Sequence, residues 1–201
     1  MDNNANKNGS SCRVWDNSEC AGTEFCQPRC PRFFDSEGRS VLIRPYRPTD
    51  WDDLQTMYSD VDAANSTLGV PPASVDEVKD WLANLIAVGW NLLAFDDDQA
   101  IGHVAIAPAD ANQPHLVVFV HPDDQNRGIG TELLKHLIAY AADRKHDALT
   151  LSVAVDNKEM LGVATNLSFD VTDRLPMEYS MKLSLEDPIT QRVQRPPAER
   201  K

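Results

Sequence analysis

The sequence predicts a mixed α/β domain: one central sheet with helices on both faces, preceded by a small cysteine-rich extension. Three observations predict it. Stretches in which every second residue is apolar alternate with stretches whose apolar residues recur every three to four positions. One run, Leu116-Val117-Val118-Phe119-Val120, is apolar without a break, as a strand buried on both faces should be. After that run come a short polar loop and a helical pattern that opens on Gly128 and Gly130.

The elements follow in chain order. Val41-Leu42-Ile43-Arg44 reads as a short strand closed by Pro45. Thr49 or Asp50 caps a helix reaching about residue 60, with Trp51, Leu54, Met57 and Tyr58 at helical spacing. Ser74 and Glu77 have capping-box spacing, and Val78, Trp81, Leu82, Leu85 and Ile86 line one face behind them. Residues 91–95 and 101–107 are strands joined by the polar turn Asp96-Asp97-Asp98-Gln99, and the apolar run from Leu116 is the next strand. A helix spans 128–145, where Ile129, Leu133, Leu137 and Ala141 recur every fourth residue. Leu149, Leu151, Val153 and Val155 alternate with small or polar residues in another strand. Residues 157–167 are weakly helical, and Met177, Tyr179, Met181, Leu183 and Leu185 form a last alternating strand. Three parts result: a cysteine-rich extension over 1–38, the α/β domain over 41–185, and a disordered tail over 186–201 that contains Pro188, Pro196 and Pro197.

Composition limits what such a chain does. The net charge is −12, with Asp outnumbering Glu 22 to 9 and Arg outnumbering Lys 12 to 7, and residues 41–185 carry the whole excess. This surface repels phosphate backbones, which argues against nucleic acid as a partner and favours cations such as amines. An Asp excess with scarce Lys is also the composition of a protein adapted to concentrated salt. No apolar run approaches the length of a membrane span. The first residues, Met1-Asp2-Asn3-Asn4-Ala5-Asn6, lack the basic and apolar segments of a secretory signal, so a cytoplasmic location is expected.

The chemistry concentrates at Val118-Phe119-Val120-His121-Pro122-Asp123-Asp124-Gln125-Asn126-Arg127-Gly128-Ile129-Gly130-Thr131. A buried strand ends there and a helix begins. The first amides of a helix have no partner within it, and the helix dipole adds partial positive charge. Glycine lets an anion come close to the main chain. The stretch reads as a phosphate cradle made of backbone, with Arg127 nearby to help. The plainer reading is a strand–turn–helix junction that needs glycine to turn. Leu133 stands where the dinucleotide fingerprint wants its third glycine, and the Gly-Lys-Ser/Thr of a P-loop is missing.

The string resembles the Gln/Arg-x-x-Gly-x-Gly/Ala motif of the GNAT acetyltransferases, and the resemblance extends over about residues 41–183. It implies a GNAT-like mixed sheet and an acetyl-CoA-dependent transfer of an acetyl group directly to a primary amine, without metal. By this resemblance Val118, Phe119 and Val120 pair with the pantetheine arm. Gln125, Asn126, Arg127, Gly128, Ile129, Gly130 and Thr131 hold the diphosphate, and Asn157 touches the cofactor arm. His115 stands at the start of the strand where relatives often have a Glu base, and its neutral imidazole suits the same task. Ala164 occupies the place of the usual Tyr acid, with Tyr179 a weak substitute. The acceptor is a small amine or a protein amino group, and a homodimer is in keeping with the family. His103 reads as a half-buried structural residue, His121, His136 and His146 as loop or helix-surface residues, and Trp81 and Trp90 as core.

All four cysteines, Cys12, Cys20, Cys26 and Cys30, fall in the extension, spaced Cys-x7-Cys-x5-Cys-x3-Cys. Four thiolates in a segment too small to fold alone suit tetrahedral zinc, although no Cys-x2-Cys pair is present. Thiols without metal, in a flexible arm, are the plain alternative. A rival reading of the whole chain is a non-enzymatic acyl-CoA-binding or regulatory module with that segment as a zinc-binding interaction arm.

Overall fold

The computed structural model describes residues 20, 22–59, 71–72 and 74–200. Eight strands form one sheet: β1 (Arg32–Phe34), β2 (Ser40–Pro45), β3 (Trp90–Asp96), β4 (Gln99–Ala107), β5 (His115–Val120), β6 (Ala148–Ala154), β7 (Asp170–Arg174) and β8 (Glu178–Ser184). Their order across the sheet is β1-β2-β3-β4-β5-β6-β8-β7. All neighbours are antiparallel except β5 and β6. A parallel return needs a long crossover, and helix α3 (Ile129–Asp143) supplies it.

Strand alternation builds a core on each face. Leu92 and Ala94 point into the larger one, with Leu116 from β5 and Ile129, Leu133 and Leu137 from α3. Leu93 and Phe95 point the other way, toward α1 (Trp51–Ser59) and α2 (Val75–Val88), where Leu54, Tyr58, Val78 and Leu82 meet them. Ser74 caps α2 by accepting the Glu77 amide at 3.2 Å, as its spacing predicts. Gly102 on β4 lets α3 lie close: a methyl there would sit 2.9 Å from Leu133 Cδ1.

Three elements depart from the sequence reading. Strand β1 lies inside the expected extension yet pairs with β2, Arg32 opposite Leu42. Just before it, Arg29 is buried and donates to Asp143 of α3 at 2.6 Å, so the domain begins earlier than residue 41. Strand β7 has five exposed residues and no apolar alternation to announce it. The expected disordered tail instead folds. Helix α5 (Pro188–Val193), capped by Asp187 through the Ile189 amide at 2.8 Å, buries Ile189 and Val193. Those two side chains, four residues apart, share one helix face and join the larger core. Beyond them Arg200 reaches Glu132 of α3 at 2.6 Å. Pro188 is no obstacle, because the first helical position needs no amide donor.

Candidate active site

Strand β5 arrives at the site with its side chains divided. Val118 and Val120 pack toward the α3 core, while Phe119 stacks on Tyr58 with ring centroids 4.5 Å apart. On one edge β5 is fully paired with β4, from Ala107 opposite His115 to Gly102 opposite Val120. On the other edge it meets β6 at one register pair only, His115 with Thr150. The Thr150 amide donates to the Pro114 carbonyl at 3.1 Å. Past that point the two parallel strands separate. Val118, Phe119 and Val120 therefore border a split in the sheet, with main chain facing a gap instead of a neighbour.

The loop beyond β5 is held by its own polar groups. His121 Nδ1 accepts the Asp123 amide at 3.4 Å, and the Gln125 amide donates to the Pro122 carbonyl at 3.3 Å. The Gln125 side chain turns back to donate to the Val120 carbonyl at 3.2 Å, bracing the strand end. Asn126 has φ 61° and Gly128 φ 84°, so the chain passes twice through the left-handed region before α3 starts. Such alternation turns successive amides toward one side. Among the described residues no group accepts from the amides of Ile129, Gly130 or Thr131, and Gly128 caps the helix with no side chain at all. Gly130 and Thr131 are half-exposed residues, and their amides form an open row of donors at the positive end of the helix. At Gly128 the positive φ calls for glycine. At Gly130 a methyl would rest 3.5 Å from Val120 Cγ2, an ordinary contact.

Arg127 does not behave as the sequence suggests. It faces inward and is 4% exposed. Its guanidinium donates to Asp35 at 2.6 Å, to Asp96 at 2.8 Å and to Asp124. Surrounded by carboxylates, it holds its proton even more firmly than an ordinary arginine. Burial would raise the pKa of Asp35, but hydrogen bonds from the Arg39 amide, from Arg127 and from the Glu37 amide outweigh it and keep the carboxyl below its usual value. Arg127 is thus spent on the protein and does not reach out to a phosphate.

At the other end of β5, His115 is exposed, with Nδ1 3.3 Å from Thr150 Oγ1. Partial desolvation of the ring lowers its pKa, against the opposing pull of the Glu178 charge, so the imidazole is neutral at pH 7.

A family model for the acetyltransferase (GNAT) domain matches residues 40–170. The chain belongs to the GNAT acetyltransferase family. Two solved structures share the fold: the GNAT domain of PAT from S. lividans, with TM-score 0.64 and 19% identity over 76% of this chain and 95% of that one, and yncA from Salmonella typhimurium, a putative acetyltransferase solved with its cofactor acetyl-CoA, with TM-score 0.62 and 18% identity over 74% and 95%. Among curated proteins, the mycothiol acetyltransferase of Mycolicibacterium smegmatis is 30% identical over 80 residues, 39% of this chain and 26% of its own length. The L-amino acid N-acyltransferase MnaT of Escherichia coli is 36% identical over 59 residues, 29% of this chain and 34% of its own length. The matches thus span about a quarter and a third of these curated relatives.

Against that GNAT frame the remaining candidates separate. Asn157 precedes α4 (Lys158–Asn166) and spends its side-chain oxygen on the Met160 amide at 3.0 Å, as a helix cap. Its main-chain amide donates to the Ala154 carbonyl at 3.1 Å. Ala164, at the position the resemblance assigns to a tyrosine acid, is fully buried in the core. Tyr179 on β8 is partly buried under the Arg174 guanidinium, 5.1 Å from its ring centre. His103 is fully buried rather than half-buried, between Tyr58 Oη and Asn91 Oδ1, each at 2.9 Å. His136, expected on a helix surface, is 1% exposed. The main chain at Cys30 and the Arg200 guanidinium lie against it.

The cysteine segment gives zinc no ligand set where it is described. Cys12 lies outside the described residues. Cys20 is exposed, Cys26 half-buried and Cys30 buried. Cys26 Sγ accepts the Thr23 amide at 3.1 Å, and the Cys30 thiol lies 3.7 Å from the Arg32 carbonyl. Among the described residues no three His, Cys, Asp or Glu side chains converge as metal ligands would. Likewise, no described helix is long and apolar enough to cross a membrane.

Proposed function

We propose that this chain is an acetyl-CoA-dependent N-acetyltransferase that passes an acetyl group directly to a primary amine. The observation that carries the reading is one continuous run of main chain. It begins in the split between β5 and β6 and ends in the open amides at the start of α3. An extended arm carrying amides fits the first part as an added strand would. A diphosphate fits the second.

In this reading Val118, Phe119 and Val120 align the pantetheine arm, and the amides of Gly128, Ile129, Gly130 and Thr131 hold the diphosphate. Asn157 assists from its side-chain nitrogen. His115 takes the proton from the incoming ammonium, directly or through water, because only the neutral amine attacks a thioester carbonyl. A backbone amide near Val120 steadies the oxyanion. With Ala164 in the tyrosine position, the thiolate departs without a side-chain acid, which a leaving group of pKa about 8.5 permits. The acceptor is cationic in solution, in keeping with a net charge of −12. A chimera of spermidine N-acetyltransferase SpeG from Vibrio cholerae and hSSAT is among the structures of the same fold, at TM-score 0.58 and 14% identity.

Thermal shift with acetyl-CoA, followed by CoA release over a panel of amines, tests the reading. Saturation at a hundredfold over Kd stabilises the protein by about 2.7 kcal/mol. His115→Gln should lower kcat/KM by about a hundredfold while leaving acetyl-CoA binding intact. Tight binding with no CoA release for any amine would support the non-catalytic module, for which the buried Ala164 speaks. No binding at all would remove both.

A further inference from the structure

Arg127 sits next to the open amides yet aims away from them, and what it holds is distant in sequence. Asp35, 92 residues earlier, belongs to the turn between β1 and β2. Its carboxylate organises that turn by accepting the Glu37 amide at 2.9 Å and the Arg39 amide at 2.8 Å through Oδ1, leaving Oδ2 for Arg127. The turn docks on the loop by main chain as well: the Ser36 amide donates to the Arg127 carbonyl at 3.2 Å, and the Ser36 hydroxyl to the Asn126 carbonyl at 3.4 Å. Asp96, at the end of β3, takes a second arm of the guanidinium and is bridged to Arg39 at 3.0 Å. Asp124, in the loop itself, takes the third. Three carboxylates and two guanidiniums thus join two hairpin turns to the loop just before the helix opens. Both flanking residues, Asn126 and Gly128, are in the left-handed region, so the conformation that turns the amides outward is the one this knot fixes.

We propose that Arg127 is a positioning residue, a latch through which the N-terminal hairpin turn at Asp35 sets the affinity of the α3 amides for the diphosphate of acetyl-CoA. The inference rests on the acetyl-CoA reading above and adds to it a part of the chain outside the matched family segment, since Asp35 precedes residue 40. A latch of this kind acts on cofactor binding and makes no contact with His115, the proposed base of the acetyl transfer. Removing the guanidinium does two things. It frees the loop to leave its binding conformation, and it exposes the incoming diphosphate to uncompensated carboxylates.

The test uses the full chain and acetyl-CoA as the probe. Arg127→Gln should raise the Kd from calorimetry and the KM for acetyl-CoA at least tenfold, with kcat at saturation within threefold of wild type. Arg127→Lys, which keeps one charge but not the fork, should recover part of that loss. Asp35→Asn keeps an oxygen for the Glu37 and Arg39 amides and turns an NH2 toward the guanidinium, so it breaks the latch while preserving the turn. It should raise the Kd at least fivefold, and it carries the test if Arg127→Gln does not fold. A folded Asp35→Asn or Arg127→Gln variant with Kd within twofold of wild type overturns the latch, as does a loss confined to kcat. Absence of acetyl-CoA binding by wild type overturns the functional reading, and the latch with it. Wild-type binding with unaffected variants overturns the latch alone.

Discussion

Two imidazoles are sealed inside this protein and stay uncharged. Burial lowers the pKa of His103 to about 3 and, with the charge of Arg200 assisting, that of His136 to about 4. For His103 the hydrogen bonds fix the tautomer. Asn91 donates to the Leu85 carbonyl, so its oxygen accepts from Nε2–H, and Tyr58 must donate to Nδ1. Both folded pKa values lie below the ordinary 6.5, so the unfolded chain takes up protons first as pH falls. The stability these groups lend is whole above pH 6.5 and drains away toward pH 4 and pH 3. Each costs about 1.4 kcal/mol per pH unit in that window, together about 2.7 kcal/mol per unit. Urea midpoints measured from pH 7 to pH 4.5 should fall steeply, and His136→Leu should roughly halve the slope. Of these residues the sequence discloses only part. His103 has strand spacing with Ile101 and Ala105, which marks it as structural, although a register shift between β3 and β4 puts Ile101 in the α3 core and His103 against Tyr58 on the other face. His136 looks superficial because nothing local reveals that Cys30 and Arg200, both distant in sequence, lie against it. Arg127 misleads for the same reason: beside two glycines it looks like a phosphate ligand, and the carboxylates at Asp35 and Asp96 that claim it are far away in sequence.

Elements that carry their own periodicity are legible; those that exist because of a neighbour are not. The strand–loop–helix from β5 to α3 follows from an unbroken apolar run, a polar loop and two glycines, and the structure keeps it nearly to the residue. Strand β7 has no such mark, being an exposed edge defined by its ladder to β8. Helix α5 is six residues long and owes its existence to the surface it covers. Ile189→Ala should therefore destabilise the whole domain by about 2–4 kcal/mol in denaturant titration, although it lies in what the sequence presents as a tail. The two glycines of the loop should part company under substitution. Gly128→Ala forces a side chain into the left-handed region and should cost about 1–2 kcal/mol. Gly130→Ala meets only an ordinary contact inside a helix and should leave the melting temperature unchanged or slightly raised.

At the scale of the molecule, charge and topology matter most. A net charge of −12 on a chain with 22 Asp and 7 Lys is self-repulsive at low ionic strength, and the exposed turn at Asp97 and Asp98 adds to it. Screening should relieve the strain, so the unfolding midpoint should rise between 0.05 M and 2 M KCl; greater stability at low salt would reject adaptation to concentrated salt. The fold class and the order of the central elements could be read from the chain because each core-facing stripe repeats locally. The joining of its ends to the middle could not, because single ion pairs and short contacts do it. The sheet itself is two antiparallel blocks, β1 to β5 and β6 with β8 and β7, fastened edge to edge at His115 and Thr150. A wedge-shaped seam runs the rest of the way. An extended molecule laid in that seam, as the proposed acetyl-CoA arm is, would add a ninth rung, and the two blocks should exchange amide hydrogens more slowly once it is in place.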